Sequence, residues 1–214
     1  MDFKRRTFLK GSGILVAKII LPQVPAFGQY SEDLPYDIYR VDNVWHSRLF
    51  KKQLHQLLEN KTPLHLDWLV EALDKKIPVQ NNAFSLTFAG GRKNQYENAL
   101  EPLNQYKFPA TFFVPLSTVG KEGFMSATDI SEVVRYGHRV ELQSDASIVD
   151  YQKTSEIIGR LKPQFQELEN IAKATEPDYE TKFALMPDGT FIDRNLAVRG
   201  AVEKLESLIP QNKV

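Results

Sequence analysis

The residues able to do chemistry in this chain are few and scattered. It holds four histidines, His46, His55, His65 and His138, and no two of them are four residues apart. One helix face or one strand-end turn therefore cannot present a histidine pair to a metal ion. The chain has no cysteine, which excludes disulfides, thiolate catalysis and thiolate-bound zinc. Two acids stand out. Asp145 and Asp188 each follow a segment read as a strand, so they could face one another as a carboxylate pair across a pocket. The plainer alternative is two solvated loop acids. Gln143, Ser144 and Ser147 surround Asp145. Arg92 follows the stretch "LTFAGG", in which Ala89, Gly90 and Gly91 form a strand-to-helix turn with no acid, base or metal-binding side chain.

The elements that would carry these residues alternate. Apolar residues recur at helical spacing over Arg48–Glu59 and again over Leu66–Leu73. After a Pro- and Asn-containing loop, Ala83–Phe88 reads as a strand and Asn94–Tyr106 as a helix. Ala110–Val114 is a strand rich in Phe and Val. Ala127–Tyr136 is a helix with Ser126 or Thr128 near its start. Arg139–Leu142 is a strand, and Tyr151–Ala174 a helix broken or kinked before Pro163. Phe183–Met186 is a strand and Arg194–Ile209 a last helix. An earlier strand falls around Tyr36–Val41. Strands alternating with helices imply a parallel sheet, whose sites lie at the carboxyl ends of the strands.

Charge and the N-terminus limit location and partners. Residues 1–28 contain "KRRTFLK", a moderately apolar run interrupted by Lys18, and the small residues of Ala26-Phe27-Gly28. This resembles a twin-arginine export signal, with 1–28 removed and 29–214 forming the folded domain. The expected location is periplasmic or extracellular, with no stable membrane span after cleavage. Without that leader the net charge is −4. No basic run is present, so nucleic acid is not an expected partner.

Four motifs carry a family likeness. "FSLTFAGG", "FPATFFVP", "YGHRVELQS" and "ALMPDG" occur in that order. Together they resemble the polysaccharide deacetylase family, the NodB-homology domain of carbohydrate esterase family 4 type. The upstream segment from Arg48 to Phe88 resembles the lead-in of members acting on poly-N-acetylglucosamine-type polymers. The resemblance implies an α/β fold, an incomplete or distorted (β/α) barrel, with the chain stopping several elements short. It also implies hydrolysis of an N-acetyl group by a divalent metal held by one Asp and two His, with a second Asp as base.

Carried over, the family base falls on Ala89 and the metal aspartate on Gly90. The two metal histidines fall on Gln143 and Ser147. Gly91 and Ser144 match the family, Asp188 replaces an aromatic residue in the turn Pro187-Asp188-Gly189, and His138 matches a structural Gly-His turn. No histidine follows His138 to serve as the family's general acid. Gln and Ser are poor zinc ligands, and Ala and Gly are none.

The expectation is therefore an exported deacetylase-like protein without catalysis or cofactor, binding a carbohydrate polymer, an oligosaccharide or a protein partner. The alternative is an active hydrolase of C–N bonds, with zinc or a relocated site at Asp145 and Asp188. Trp45, Trp68 and Tyr96 are the aromatic residues able to stack on a sugar, although burial on apolar helix faces would account for Trp68 and Tyr96.

Overall fold

A computed structural model describes residues 16–18, 36–75, 77–80, 82–145, 154–187 and 191–194. Within them the chain runs β1 (Val16–Lys18), β2 (Tyr36–Val41), α1 (Ser47–Leu58), β3 (Thr62–Pro63), α2 (Leu66–Asp74), β4 (Ala83–Ala89), α3 (Lys93–Gln105) and β5 (Ala110–Val114). It continues through α4 (Ala127–Arg135), β6 (Arg139–Gln143), α5 (Thr154–Ala172), β7 (Phe183–Leu185) and β8 (Phe191–Asp193). Strands β2, β4, β5, β6 and β7 are parallel neighbours in that order. Short antiparallel strands, β1 and β8, flank them. The parallel sheet curls into half a barrel, as expected for an incomplete (β/α) barrel.

The curl gives the sheet two faces, each with its own apolar cluster. The outer face offers Phe84, Leu86, Phe88, Phe112, Val114, Val140 and Leu142 to the helices, which answer with Leu54, Leu100, Leu103, Val133, Leu161 and Leu168. Ile38, Ala83, Ala89, Phe113, Phe183 and Leu185 line the inner face, closed by Leu66 and Leu69 of α2. Because both faces are covered, all seven residues of β4 are buried, which is why this strand reads as a continuous apolar run. Ser85 and Thr87 are the polar residues within it. Their hydroxyls donate to the carbonyls of Leu64 and Tyr39, both at 2.9 Å, so neither is left unpaired.

Register sets the rim. Ala89 lies beside Phe113, Val114 beside Leu142, and Gln143 beside Leu185. The carboxyl ends of four strands therefore meet on one edge, and the turn at Gly90 opens onto it.

The structure corrects the sequence reading in three places. Helix α5 runs through Pro163 unbroken. The carbonyl that loses its partner belongs to Gly159, which is exposed and open to water. Val16–Lys18 pairs antiparallel with β2. Strands β3 and β8 were not expected, because two or three residues carry no periodicity to read. Trp68, assigned to a buried helix face, is 45% exposed. The helix read over Arg194–Ile209 lies outside the described residues, except Arg194.

Candidate functional site at the carboxyl rim

The turn after β4 is built from backbone. Gly90 has φ of 101° and Gly91 of 58°, values that glycine adopts without a Cβ penalty. At Gly91 a Cβ would sit 3.0 Å from Val114 Cγ1 and 3.3 Å from Pro115 Cδ. The Gly90 N–H donates to two oxygens at once: the Phe113 carbonyl at 3.1 Å and Gln143 Oε1 at 2.6 Å. Of two positions to which the resemblance carries metal ligands, the side chain of one is thus bonded to the backbone of the other.

Gln95 completes the lock. It is fully buried in the first turn of α3. Its Nε2 donates to the carbonyls of Ala89 at 2.7 Å and Asp42 at 2.8 Å, and its Oε1 accepts from the Arg92 N–H at 3.1 Å. One amide ties the turn to the loop after β2. Sequence reasoning passed over Gln95, since a buried glutamine and a solvated one look alike. The signal available was its position three residues after the helix N-cap, where Gln reaches back to the N-cap N–H.

The other candidates separate. Arg92 is exposed, with its guanidinium 4.8 Å from the centre of the Phe124 ring, so part of it is spent locally. Ser144 is buried, and its N–H donates to the Leu185 carbonyl at 2.9 Å. Asp145 is exposed and lines a cleft of about 280 Å³ with Leu116, Ser117, Arg160 and Glu167. Asp188 and Ser147 lie outside the described residues.

The histidines do not converge on the rim. His138 sits at the amino end of β6, 4% exposed, with Nε2 3.0 Å from Asn104 Oδ1. Burial pushes its pKa down to about 4, as suits a structural, neutral imidazole. His55 stacks on Tyr106 with ring centres 6.3 Å apart. His65 lines a cleft with His138 at the amino ends of the strands. His46 is the N-cap residue of α1. Among the described residues no three His, Asp, Glu or Cys side chains gather as a metal site would require.

Aromatic side chains behave differently on the two sides of the rim. Tyr96 is half-buried, and its hydroxyl donates to Glu132 at 2.6 Å; that bond helps push its pKa up to about 12. Trp45, in the loop after β2, is 57% exposed. The Asp42 carbonyl that Gln95 holds starts this same loop.

A family model for polysaccharide deacetylase matches residues 76–202. The chain belongs to the polysaccharide deacetylase family. Solved deacetylase structures share its fold. IcaB from Ammonifex degensii is 19% identical, with a TM-score of 0.56, covering 78% of each chain. The deacetylase PplD of Streptococcus pyogenes, in complex with acetate, is 17% identical with a TM-score of 0.61, covering 78% of this chain and 79% of that one. A de-N-acetylase from Aggregatibacter actinomycetemcomitans is 15% identical with a TM-score of 0.58, covering 79% and 84%. No curated protein matches.

The divalent metal implied by the resemblance does not fit this polysaccharide deacetylase relative. Ala89 and Gly90 present no ligand atom from a side chain, and Gln143 Oε1 is directed at the Gly90 N–H. Gly90 at φ of 101° also sits where an aspartate would be strained.

Proposed function

We propose that this chain is an exported, non-catalytic member of the polysaccharide deacetylase family that acts by binding carbohydrate. The bond between Gln143 Oε1 and the Gly90 N–H carries the reading. It joins two positions that must hold a metal in a catalytic member, and it satisfies both without one. Deamidation of an N-acetyl group needs an activated water and a charge to stabilise the oxyanion. Ala89, Gly90 and Gln143 offer neither. What the rim retains is shape, exposed aromatic surface at Trp45 and amide groups, which suit recognition of neutral hydroxylated rings. Export is supported by the paired arginines and the Ala26-Phe27-Gly28 segment. No helix among the described residues is long and apolar enough to cross a membrane.

The test has two arms. Purified protein, soaked in zinc and dialysed, is expected to retain less than a tenth of an equivalent of metal. Incubated with an N-acetylglucosamine hexamer, it is expected to release no acetate. One tightly held equivalent of zinc, or acetate release abolished by Asp145→Ala, would replace this reading with that of an active hydrolase. N-terminal sequencing of the protein recovered from the periplasm tests export, with a start after residue 28 expected.

A further inference from the structure

We propose that Trp45 is the stacking platform on which this protein holds a sugar ring at the carboxyl rim, an inference that rests on the carbohydrate-binding reading above. The indole is displayed by a loop fixed on both sides. Val44, just before it, is fully buried, and its carbonyl accepts from Asn98 Nδ2 at 2.8 Å. His46, just after it, caps α1 and accepts the Phe50 N–H at 3.0 Å. A residue preceding an N-cap often packs against the fourth helical residue, here Phe50. Such a staple would account for a buried tryptophan. Trp45 leaves 57% of its surface in water instead, and Leu49, in the first turn of α1, leaves 40%. A large apolar ring held in solvent on a rigid loop loses little conformational freedom when it is covered, which favours binding.

The surroundings select the ligand. Asn43 Oδ1 accepts from Asn94 Nδ2 at 3.3 Å, linking the Trp45 loop to α3. Asn94 Oδ1 is buried without a partner. Asp42, the nearby acid of the loop, is paired with Arg40 at 2.7 Å. Neutral amides beside an aromatic face suit a pyranose, whose ring C–H groups cover the indole. Gln95 couples this loop to the Gly90 turn, so a ring on Trp45 lies beside the rim that catalytic relatives use.

The protein carries its own control. Trp68, the second of its two tryptophans, belongs to α2 at the opposite end of the sheet, where the neighbouring Asp67 pairs with Lys182 at 2.9 Å. Binding of an N-acetylglucosamine hexamer to the full chain is measured by calorimetry, and indole fluorescence is followed in Trp68→Phe and in Trp45→Phe. Trp68→Phe should bind as the unmutated protein does and change its emission on binding. Trp45→Phe should show no emission change from Trp68. Trp45→Ala should weaken binding about tenfold without altering the thermal transition. Hexamer binding that Trp45→Ala leaves within twofold overturns this inference and spares the carbohydrate reading. Absence of hexamer binding to the unmutated protein overturns both.

Discussion

Strand β6 is charged at one end and neutral at the other. Arg139 at its amino end, Glu141 in its middle and Gln143 at its carboxyl end share the face that points into the half-barrel. Glu141 is fully buried. It accepts the Lys182 N–H at 2.7 Å, the Phe183 N–H at 2.9 Å and Arg139 Nη2 at 2.9 Å. Burial nonetheless drives its pKa up to about 7, against the pull of Arg139 and those amides. In an unfamiliar enzyme a buried, perturbed carboxylate would be a first choice for catalysis. Here it is held by the Arg139 guanidinium and by the backbone N–H groups of Lys182 and Phe183, where β7 begins. The perturbation belongs to architecture. The rim, where family chemistry takes place, is held by two neutral amides, Gln95 and Gln143.

The sharpest way to break this contrast is to remove the charged end. Glu141→Ala leaves the half-buried Arg139 without its carboxylate and two backbone N–H groups without acceptors. A loss of about 3–5 kcal/mol is expected, measured by urea denaturation. A loss below about 1 kcal/mol would mean that β7 is anchored elsewhere.

The pH dependence sharpens the contrast further. Glu141 has a folded pKa raised to about 7 from 4.5. The folded state then holds the proton more tightly, so this group costs stability as pH rises through that window. His138 has a folded pKa lowered to about 4 from 6.5. The unfolded state takes up its proton first, so stability falls as pH drops through 6.5 toward 4. The two slopes nearly cancel in the native protein between about pH 4.5 and 6.5. In His138→Phe the Glu141 slope should emerge, with stability falling by roughly 3 kcal/mol from pH 4.5 to 7. Glu141→Gln should show the opposite slope. Thermal transitions across that range read both, and a flat profile in either variant rejects its assignment.

Gln95→Ala follows in size. It removes the acceptor for the Arg92 N–H and strands the carbonyls of Ala89 and Asp42 in a dry site. About 2–3 kcal/mol should be lost, and hydrogen exchange should quicken at the Arg92 amide and through the turn. Protection unchanged there would show that Gln95 does not hold the rim.

Much of this was legible in the residues, for reasons that can be named. Strands β4, β5 and β6 and helices α1 to α4 announced themselves through apolar runs and helical spacing, with ends off by a residue or two. The family likeness came from short motifs clustered at strand ends, where backbone shape constrains the sequence whatever chemistry the side chains do. Gly91 illustrates this: its φ and its distance from Val114 require glycine whether or not a metal is bound. Glu141 and Gln95 were missed because their roles depend on partners 41 and 53 residues away. Local pattern does not encode such pairings. The same limit hid β8, whose pairing with β7 is an edge contact of three residues.

The smallest expected effect tests the emptiness of the rim most directly. Gln143→Ala removes the 2.6 Å bond to the Gly90 N–H but leaves that N–H its bond to the Phe113 carbonyl. Because one acceptor survives, the loss should be near 1 kcal/mol rather than the full cost of a stranded donor. Exchange of the Gly90 amide should quicken several-fold while β4 stays protected. Gln143→His restores one of the family's ligand types at this position. It should hold no zinc through dialysis, because Gly90 and Ser147 supply neither the carboxylate nor the second imidazole, and one ligand does not make a site. Tight zinc in Gln143→His would mean that a nearby acid, Asp145 first, completes a coordination shell, and the rim would then be one substitution from chemistry instead of several.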